Sequence, residues 1–100
     1  MYAIAIVRFR KPIDQVDLFR DEHRAYLEEL RRQGIVIASG PVEPRFLGAM
    51  LLRVPDDAVD ATLLRVRDND PYVREGLAQY ELLPWNPVNG RENLDRIPPV

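Results

Sequence analysis

The chain has 100 residues, a formal net charge of −2, one histidine and no cysteine. Its composition, 46% hydrophobic and 30% charged, is typical of one soluble globular domain and argues against disorder, a nucleic-acid-binding surface and a membrane-spanning helix. Disulfides, thiolate nucleophiles and multi-histidine metal sites within one chain are excluded. We therefore expect a cytoplasmic protein that uses no cofactor. An all-oxygen metal site remains open, although no segment resembles a calcium-binding loop.

The first half of the chain predicts a strand followed by a long helix. Tyr2–Phe9 is rich in β-branched and aromatic residues without clean alternation, which is typical of a strand covered on both faces. A helix is predicted at residues 14–33, because Asp14 can cap its first turn and Gly34 can end it. Its apolar residues recur every three or four positions, and His23 falls on this inward stripe.

The second half predicts three strands and a second helix. Strands at residues 35–39 and 47–54 are expected to form a hairpin with a proline-rich connection. A helix begins near residue 55 and is interrupted at Asp70, because the proline that follows disfavours the helical conformation there. A short helix beginning at that proline would make Asp70 its N-terminal cap. The last strand is predicted at residues 77–83.

This order, βαββαβ, predicts an α+β ferredoxin-like fold: a four-stranded antiparallel sheet with both helices on one face. The first strand carries apolar residues on both faces, and a large apolar face left in water is unfavourable. We therefore expect a homodimer in which two sheets pack face to face. The predicted domain spans residues 1–86, and residues 87–100 form a polar C-terminal tail.

Several short features follow one another between Tyr2 and Trp85. They are the helix with His23, the strand end Ala38-Ser39-Gly40-Pro41, Gly48 in the next strand, Asp70-Pro71-Tyr72, and a last strand ending in Pro84-Trp85. As an ordered set, they resemble the YCII-related family. The resemblance implies a dimeric α+β barrel of ferredoxin-like subunits, and an active site whose histidine and aspartate correspond to His23 and Asp70. Some members of this family are lyases that act on ring-derived compounds, including by dehydrochlorination.

His23 and Asp70 are the predicted catalytic residues, and each also has a purely structural interpretation. His23 could be a neutral core histidine, or it could transfer protons, since imidazole has a reference pKa of about 6.5. Asp70 could simply cap a helix, and a carboxylate fixed in this way can also orient an imidazole. We predict that folding brings the two side chains together at one pocket.

Four further residues are predicted to bind substrate: Arg8, Ser39, Gly40 and Tyr72. Arg8 could anchor an anionic substrate, or it could form an ion pair or lie at the sheet rim. Ser39 is expected to offer a pocket hydrogen bond, and a Ser-His-Asp nucleophile is disfavoured because no nucleophile elbow surrounds it. Gly40 could border the pocket or only end a strand. Tyr72 could be a flat pocket wall or a core or interface aromatic.

The functional prediction is metal-free acid–base chemistry of the lyase or isomerase type, with a dehydrochlorinase-like reaction implied by the resemblance. The substrate would be a small anionic or cyclic organic compound. The alternative is a non-catalytic dimer that binds a metabolite as a sensor or accessory subunit. A third hypothesis, a purely structural dimer, requires His23 and Asp70 to lie far apart.

Overall fold

The structure, a computed structural model, describes residues 1–44 and 47–98. The strands are β1 (Tyr2–Phe9), β2 (Val36–Val42), β3 (Leu47–Arg53) and β4 (Ala78–Trp85). The helices are α1 (Ile13–Asp17), α2 (Arg20–Arg32), α3 (Val59–Asp68), α4 (Pro71–Arg74) and α5 (Arg91–Asp95). In the part of the chain that is described, no helix has the length and apolar character needed to cross a membrane. The cytoplasmic location stays a prediction.

The four strands form one antiparallel sheet in the order β2-β3-β1-β4. β1 lies in the middle and pairs with both β3 and β4, although both follow it late in the chain. This is the strand order that the two crossover connections of a ferredoxin-like fold produce. The predicted fold class is therefore confirmed.

Residues of β1 alternate between the two faces of the sheet. Ala3, Ala5 and Val7 are buried in the core with apolar residues of the helices. Ile4 and Ile6 lie on the opposite face and are only half-buried. Helices α1–α4 thus cover one face of the sheet, and we call the other one the open face.

A row of apolar side chains crosses the open face. Ile4 lies opposite Leu51 on β3 and opposite Leu83 on β4, and Ile6 follows it on the same side of β1. Leu83 is 42% exposed and Trp85, near the same end of the sheet, is 39% exposed. A second copy of the chain was expected on this face, and the dimer stays a proposal.

The single helix predicted at residues 14–33 is wrong, because the chain forms two helices with a break at Leu18 and Phe19. The amide of Phe19 bonds the carbonyl of Val16 three residues earlier, which tightens and ends α1. Phe19 itself (φ −112°, ψ 12°) leaves helical geometry and packs against the core. The N-terminal cap is Pro12 rather than Asp14, whose carboxylate accepts only from the next amide.

Prolines lie inside both edge strands. The last strand was expected to stop at Pro84, yet β4 continues through it to Trp85. Likewise β2 extends through Pro41 to Val42. Because each of these strands has a neighbour on one side only, a residue without an N–H can be accommodated there.

Beyond β4, the chain turns back to the end of the sheet. The hydroxyl of Tyr2 donates a hydrogen bond to Asp95 on α5 (2.6 Å), and Arg53 donates to the carbonyl of Ile97 (2.7 Å). The guanidinium groups of Arg53 and Arg91 lie 5.3 and 5.7 Å from the centre of the Tyr2 ring. The expected polar tail therefore contains a short helix that covers Tyr2.

Candidate active site

Asp70 lies at the junction of α3 and α4, where the sequence fixes its conformation. Its backbone is extended (φ −70°, ψ 127°), as the proline after it requires, and Pro71 begins α4. The Oδ1 atom accepts a hydrogen bond from the amide of Tyr72 at 2.9 Å. The prediction that Asp70 caps a short helix is confirmed, and the side chain is fully buried.

Three donors surround this buried carboxylate. Besides the Tyr72 amide, Oδ1 of Asp70 is 2.8 Å from Nδ1 of His23, and Oδ2 accepts from the hydroxyl of Tyr80. A buried charge is tolerated when it is hydrogen-bonded in this way. Burial, followed by the charge of Asp70, raises the pKa of Tyr80 well above its ordinary value. The hydroxyl of Tyr80 therefore stays protonated and donates a hydrogen bond to Asp70.

His23 is held on two sides. Its ring stacks on Tyr72, with ring centres 3.9 Å apart and planes inclined by 8°. Since an ionised carboxylate can only accept, Nδ1 of a neutral His23 carries the proton that is shared with Asp70. The other nitrogen, Nε2, has no partner among the described side chains and backbone groups, and the ring borders a cavity. A neutral His23 therefore offers Nε2 as a base.

The cavity has a volume of about 220 Å³ and lies between the sheet, α2 and α4. Its lining residues are Val7, Phe9, Arg20, His23, Arg24, Leu27, Ser39, Gly40, Pro41, Leu47, Gly48, Ala49, Met50 and Tyr72. The wall is thus largely apolar, with an imidazole, a hydroxyl and two guanidinium groups. This composition suits a small organic molecule with an apolar body and few polar groups.

Three of the four residues predicted to bind substrate lie at this cavity: Ser39, Gly40 and Tyr72. Ser39 makes no hydrogen bond with His23 within the described residues, so the disfavoured Ser-His-Asp arrangement is not formed. Asp70 does not reach the cavity itself and lies behind His23.

Arg8 is not among the residues that line this cavity, and its role as a substrate anchor stays a prediction. Val7 and Phe9 line the cavity, so Arg8 between them points to the open face of the sheet. There its guanidinium pairs with Glu81 at 3.1 Å, with both side chains about half exposed. The structure thus corresponds to the other interpretation of Arg8, an ion pair.

Two lining residues were missed in the sequence, Arg20 and Arg24. They share one face of α2 with His23 and Leu27, since the four positions follow the i, i+3, i+4, i+7 spacing of a helix face. That spacing was the available signal. It was not used because charged residues on a helix are ordinarily part of its solvated side.

The sequence profile of the YCII-related domain matches residues 1–86. The chain belongs to the YCII-related family. Among solved structures, this YCII-related protein is similar to 5-chloro-2-hydroxyhydroquinone dehydrochlorinase from Burkholderia phenoliruptrix AC1100 in complex with 2,5-dihydroxybenzoquinone. The TM-score is 0.66 at 20% identity, and the match covers 86% of this chain and 94% of the other. At this identity, the likeness supports the ferredoxin-like fold. No curated protein matches the sequence.

The polar residues of the site in this YCII-related domain were identified in two ways, some from the family resemblance and others from the structure. The resemblance implies roles for His23 and Asp70, whereas Arg20 and Arg24 enter through the cavity wall alone. Among the described residues, no three His, Asp or Glu side chains converge as a metal site would need. The family profile ends at residue 86, so it does not include α5 (Arg91–Asp95).

Proposed function

We propose that the protein is an enzyme of the lyase or isomerase type, which uses His23 for proton transfer on a small cyclic or anionic organic compound. Asp70 is a positioning residue that holds the imidazole and stabilises its cation. The observation that carries the proposal is the 2.8 Å contact between Nδ1 of His23 and Oδ1 of Asp70 at the wall of a cavity. A histidine oriented by a buried carboxylate is the arrangement that general acid–base catalysis uses.

The reaction follows from the free nitrogen of His23. Nε2 removes a proton from a carbon next to a carbonyl group, the C–H bond breaks, and its electron pair forms a new double bond. In an elimination, a leaving group such as chloride departs from the neighbouring carbon with its own bonding pair. In an isomerisation, the imidazolium returns the proton to a different carbon. Asp70 favours the imidazolium in either case, because its negative charge lies beside Nδ1.

The dehydrochlorinase of similar fold suggests which reaction to test first. Its complex with 2,5-dihydroxybenzoquinone shows a ring compound bound by that protein. We extend this to the present chain as a proposal only: the cavity beside His23 receives a ring compound, and loss of chloride is one reaction that the histidine could promote. The apolar wall and the stacked rings of His23 and Tyr72 suit a flat molecule.

The test is a turnover assay on chlorinated and unchlorinated hydroxyquinols and ring-derived lactones, including 5-chloro-2-hydroxyhydroquinone. Chloride release and absorbance changes report elimination and isomerisation. We expect His23→Gln to lower turnover about 10²–10⁴-fold, the usual contribution of general acid–base catalysis, and Asp70→Asn to lower it as well. Glu29→Gln, on the exposed side of α2, is the matched control and should keep the wild-type rate.

Two outcomes would contradict the proposal. If His23→Gln turned over a substrate at the wild-type rate, the imidazole would have no part in the chemistry. If ring compounds bound tightly and gave no product after long incubation, the protein would be a metabolite-binding module instead.

We also propose that the protein assembles as a homodimer through the open face. The apolar row of Ile4, Leu51 and Leu83 leaves large side chains partly exposed at the centre of the sheet. A second copy that packs its own open face against this row would remove them from water, and a two-fold arrangement places the same patch on both sides.

A further inference from the structure

The two arginines of the cavity lack the partners that other arginines of the protein have. Neither Arg20 nor Arg24 makes a hydrogen bond or ion pair with any residue that the structure describes. On the same helix, Arg31 pairs with Glu28 and Arg32 pairs with Glu29 (2.6 Å in both). Among the described arginines of α2, those without a partner are thus the two that line the cavity.

In Arg20, the lack of a partner involves a buried atom. Its Nε atom is inaccessible to solvent and has no hydrogen-bond partner among the residues that the structure describes. A charged donor that is buried and unpaired is costly, and such groups in proteins are normally satisfied by protein, water or ligand. Nε itself is closed to a ligand, but Arg20 lines the cavity, where an acceptor could pair with other atoms of its guanidinium group.

The charge of the cavity points in the same direction. Among the described residues that line it, Arg20 and Arg24 are charged, and none is an aspartate or glutamate. The carboxylate behind the wall, Asp70, is already engaged by His23, Tyr72 and Tyr80. Within the described lining, the positive charges of Arg20, which is half-buried, and Arg24, which is exposed, are thus not balanced by a carboxylate.

We propose that Arg20 and Arg24 form a carboxylate-binding subsite, so that the ligand of this cavity is a ring compound bearing a carboxylate. This deepens the proposed function and rests on it for the role of the ring, whose reacting carbon lies at Nε2 of His23. Guanidinium groups bind carboxylates through paired hydrogen bonds. The remaining wall, with Phe9, Leu27 and Met50, is apolar, which fits a hydrocarbon ring better than a second anionic group.

Helix geometry supports joint action of the two arginines. They are four residues apart on α2, which places them one turn, about 6 Å, apart along the axis on the same face. His23 precedes Arg24 directly. A ring held by its carboxylate between the two guanidinium groups would therefore lie beside the imidazole.

The test compares benzoate with benzamide, which has the same ring but no charge, by isothermal titration calorimetry. We expect benzoate to bind the wild-type protein at least about tenfold more tightly. Arg20→Gln and Arg24→Gln should each reduce that preference. Arg32→Gln, which removes an arginine of the same helix paired with Glu29, should keep it.

A further variant separates this inference from the proposed function. His23→Gln should keep the preference for benzoate even though it loses turnover. Equal binding of benzoate and benzamide by the wild-type protein would overturn the carboxylate subsite, whether or not the histidine is catalytic. The carboxylate subsite would also be overturned if inorganic phosphate competed with benzoate and bound more tightly than benzoate does. The comparison of ligands on the wild-type protein decides the matter even if Arg20→Gln does not fold.

Discussion

Asp70 is fully buried, and its surroundings supply hydrogen-bond donors to both carboxylate oxygens. The amide of Tyr72, Nδ1 of His23 and the hydroxyl of Tyr80 all donate to it. Since the pKa of Tyr80 is raised, chiefly by burial, the phenol remains a donor and does not compete for the negative charge. The carboxylate therefore acts as acceptor towards His23. This favours the tautomer of neutral His23 with its proton on Nδ1 and leaves Nε2 free at the cavity.

Phe19 lies in the break that separates α1 from α2. Its carbonyl accepts from the amide of His23 at 3.0 Å, in the first turn of α2. The position of the break therefore sets where α2 begins and which of its residues face the cavity. Arg20 and Arg24 reach the wall beside His23 because they lie on that face.

Tyr26 connects two helices and leads to a prediction about alkaline pH. Its hydroxyl on α2 donates to the carbonyl of Val66 on α3 at 2.7 Å. Burial, and then the charge of Asp70, raise the pKa of Tyr26 from 10.0 to about 12. The folded state thus prefers the neutral phenol, so this contribution to stability is complete below about pH 10 and is lost as the pH rises towards 12.

We expect the urea midpoint of unfolding to fall between about pH 9 and about pH 11 in the wild-type protein. In Tyr26→Phe the protein should be less stable by about 1 kcal/mol at neutral pH, since one hydrogen bond is lost. Its midpoint should also fall less steeply in the alkaline range. Identical slopes for the two proteins would show that the phenol of Tyr26 ionises as freely when folded as when unfolded.

In the described part of the molecule, the open face of the sheet meets a helix only at Tyr2, where α5 packs, and this leads to a prediction about assembly. Sedimentation at micromolar concentrations should give the mass of a dimer. Leu83→Glu should shift it towards the monomer, because a charge replaces an apolar side chain of the row that the proposed interface would bury. Leu64→Glu is the matched control: that leucine is 44% exposed on α3, on the other side of the sheet. A wild-type monomer would contradict the proposed dimer.

Much of the fold was predictable, because strand and helix periodicity specify which elements exist and their order gives the topology. The break at Phe19 was not, since Val16 and Phe19 both face the core and keep the helical spacing across it. The strand end at Pro84 was misjudged for a different reason. Proline is tolerated in the edge strands of a sheet, but the local sequence does not show which strands lie at the edges.

For the site, the sequence was informative where chain geometry restricts one residue. Asp70 could be placed because a proline fixes its backbone, and His23 because it interrupts an apolar stripe. Arg8 could not be assigned to a face of the sheet, because a strand without clean alternation does not reveal which face each residue occupies. The helical spacing places Arg20 and Arg24 on the face of His23, but that they line a cavity is visible only in the folded structure.

The ¹⁵N spectrum of the His23 imidazole tests the central claim most directly, because the chain has a single histidine and its two ring nitrogens need no assignment to a residue. When the ring is neutral, we expect the proton on Nδ1 in the wild-type protein and in the exposed control Asp68→Ala. In Asp70→Ala that preference should be lost, since the acceptor is removed. A neutral wild-type ring protonated on Nε2, or an unchanged spectrum in Asp70→Ala, would contradict the account.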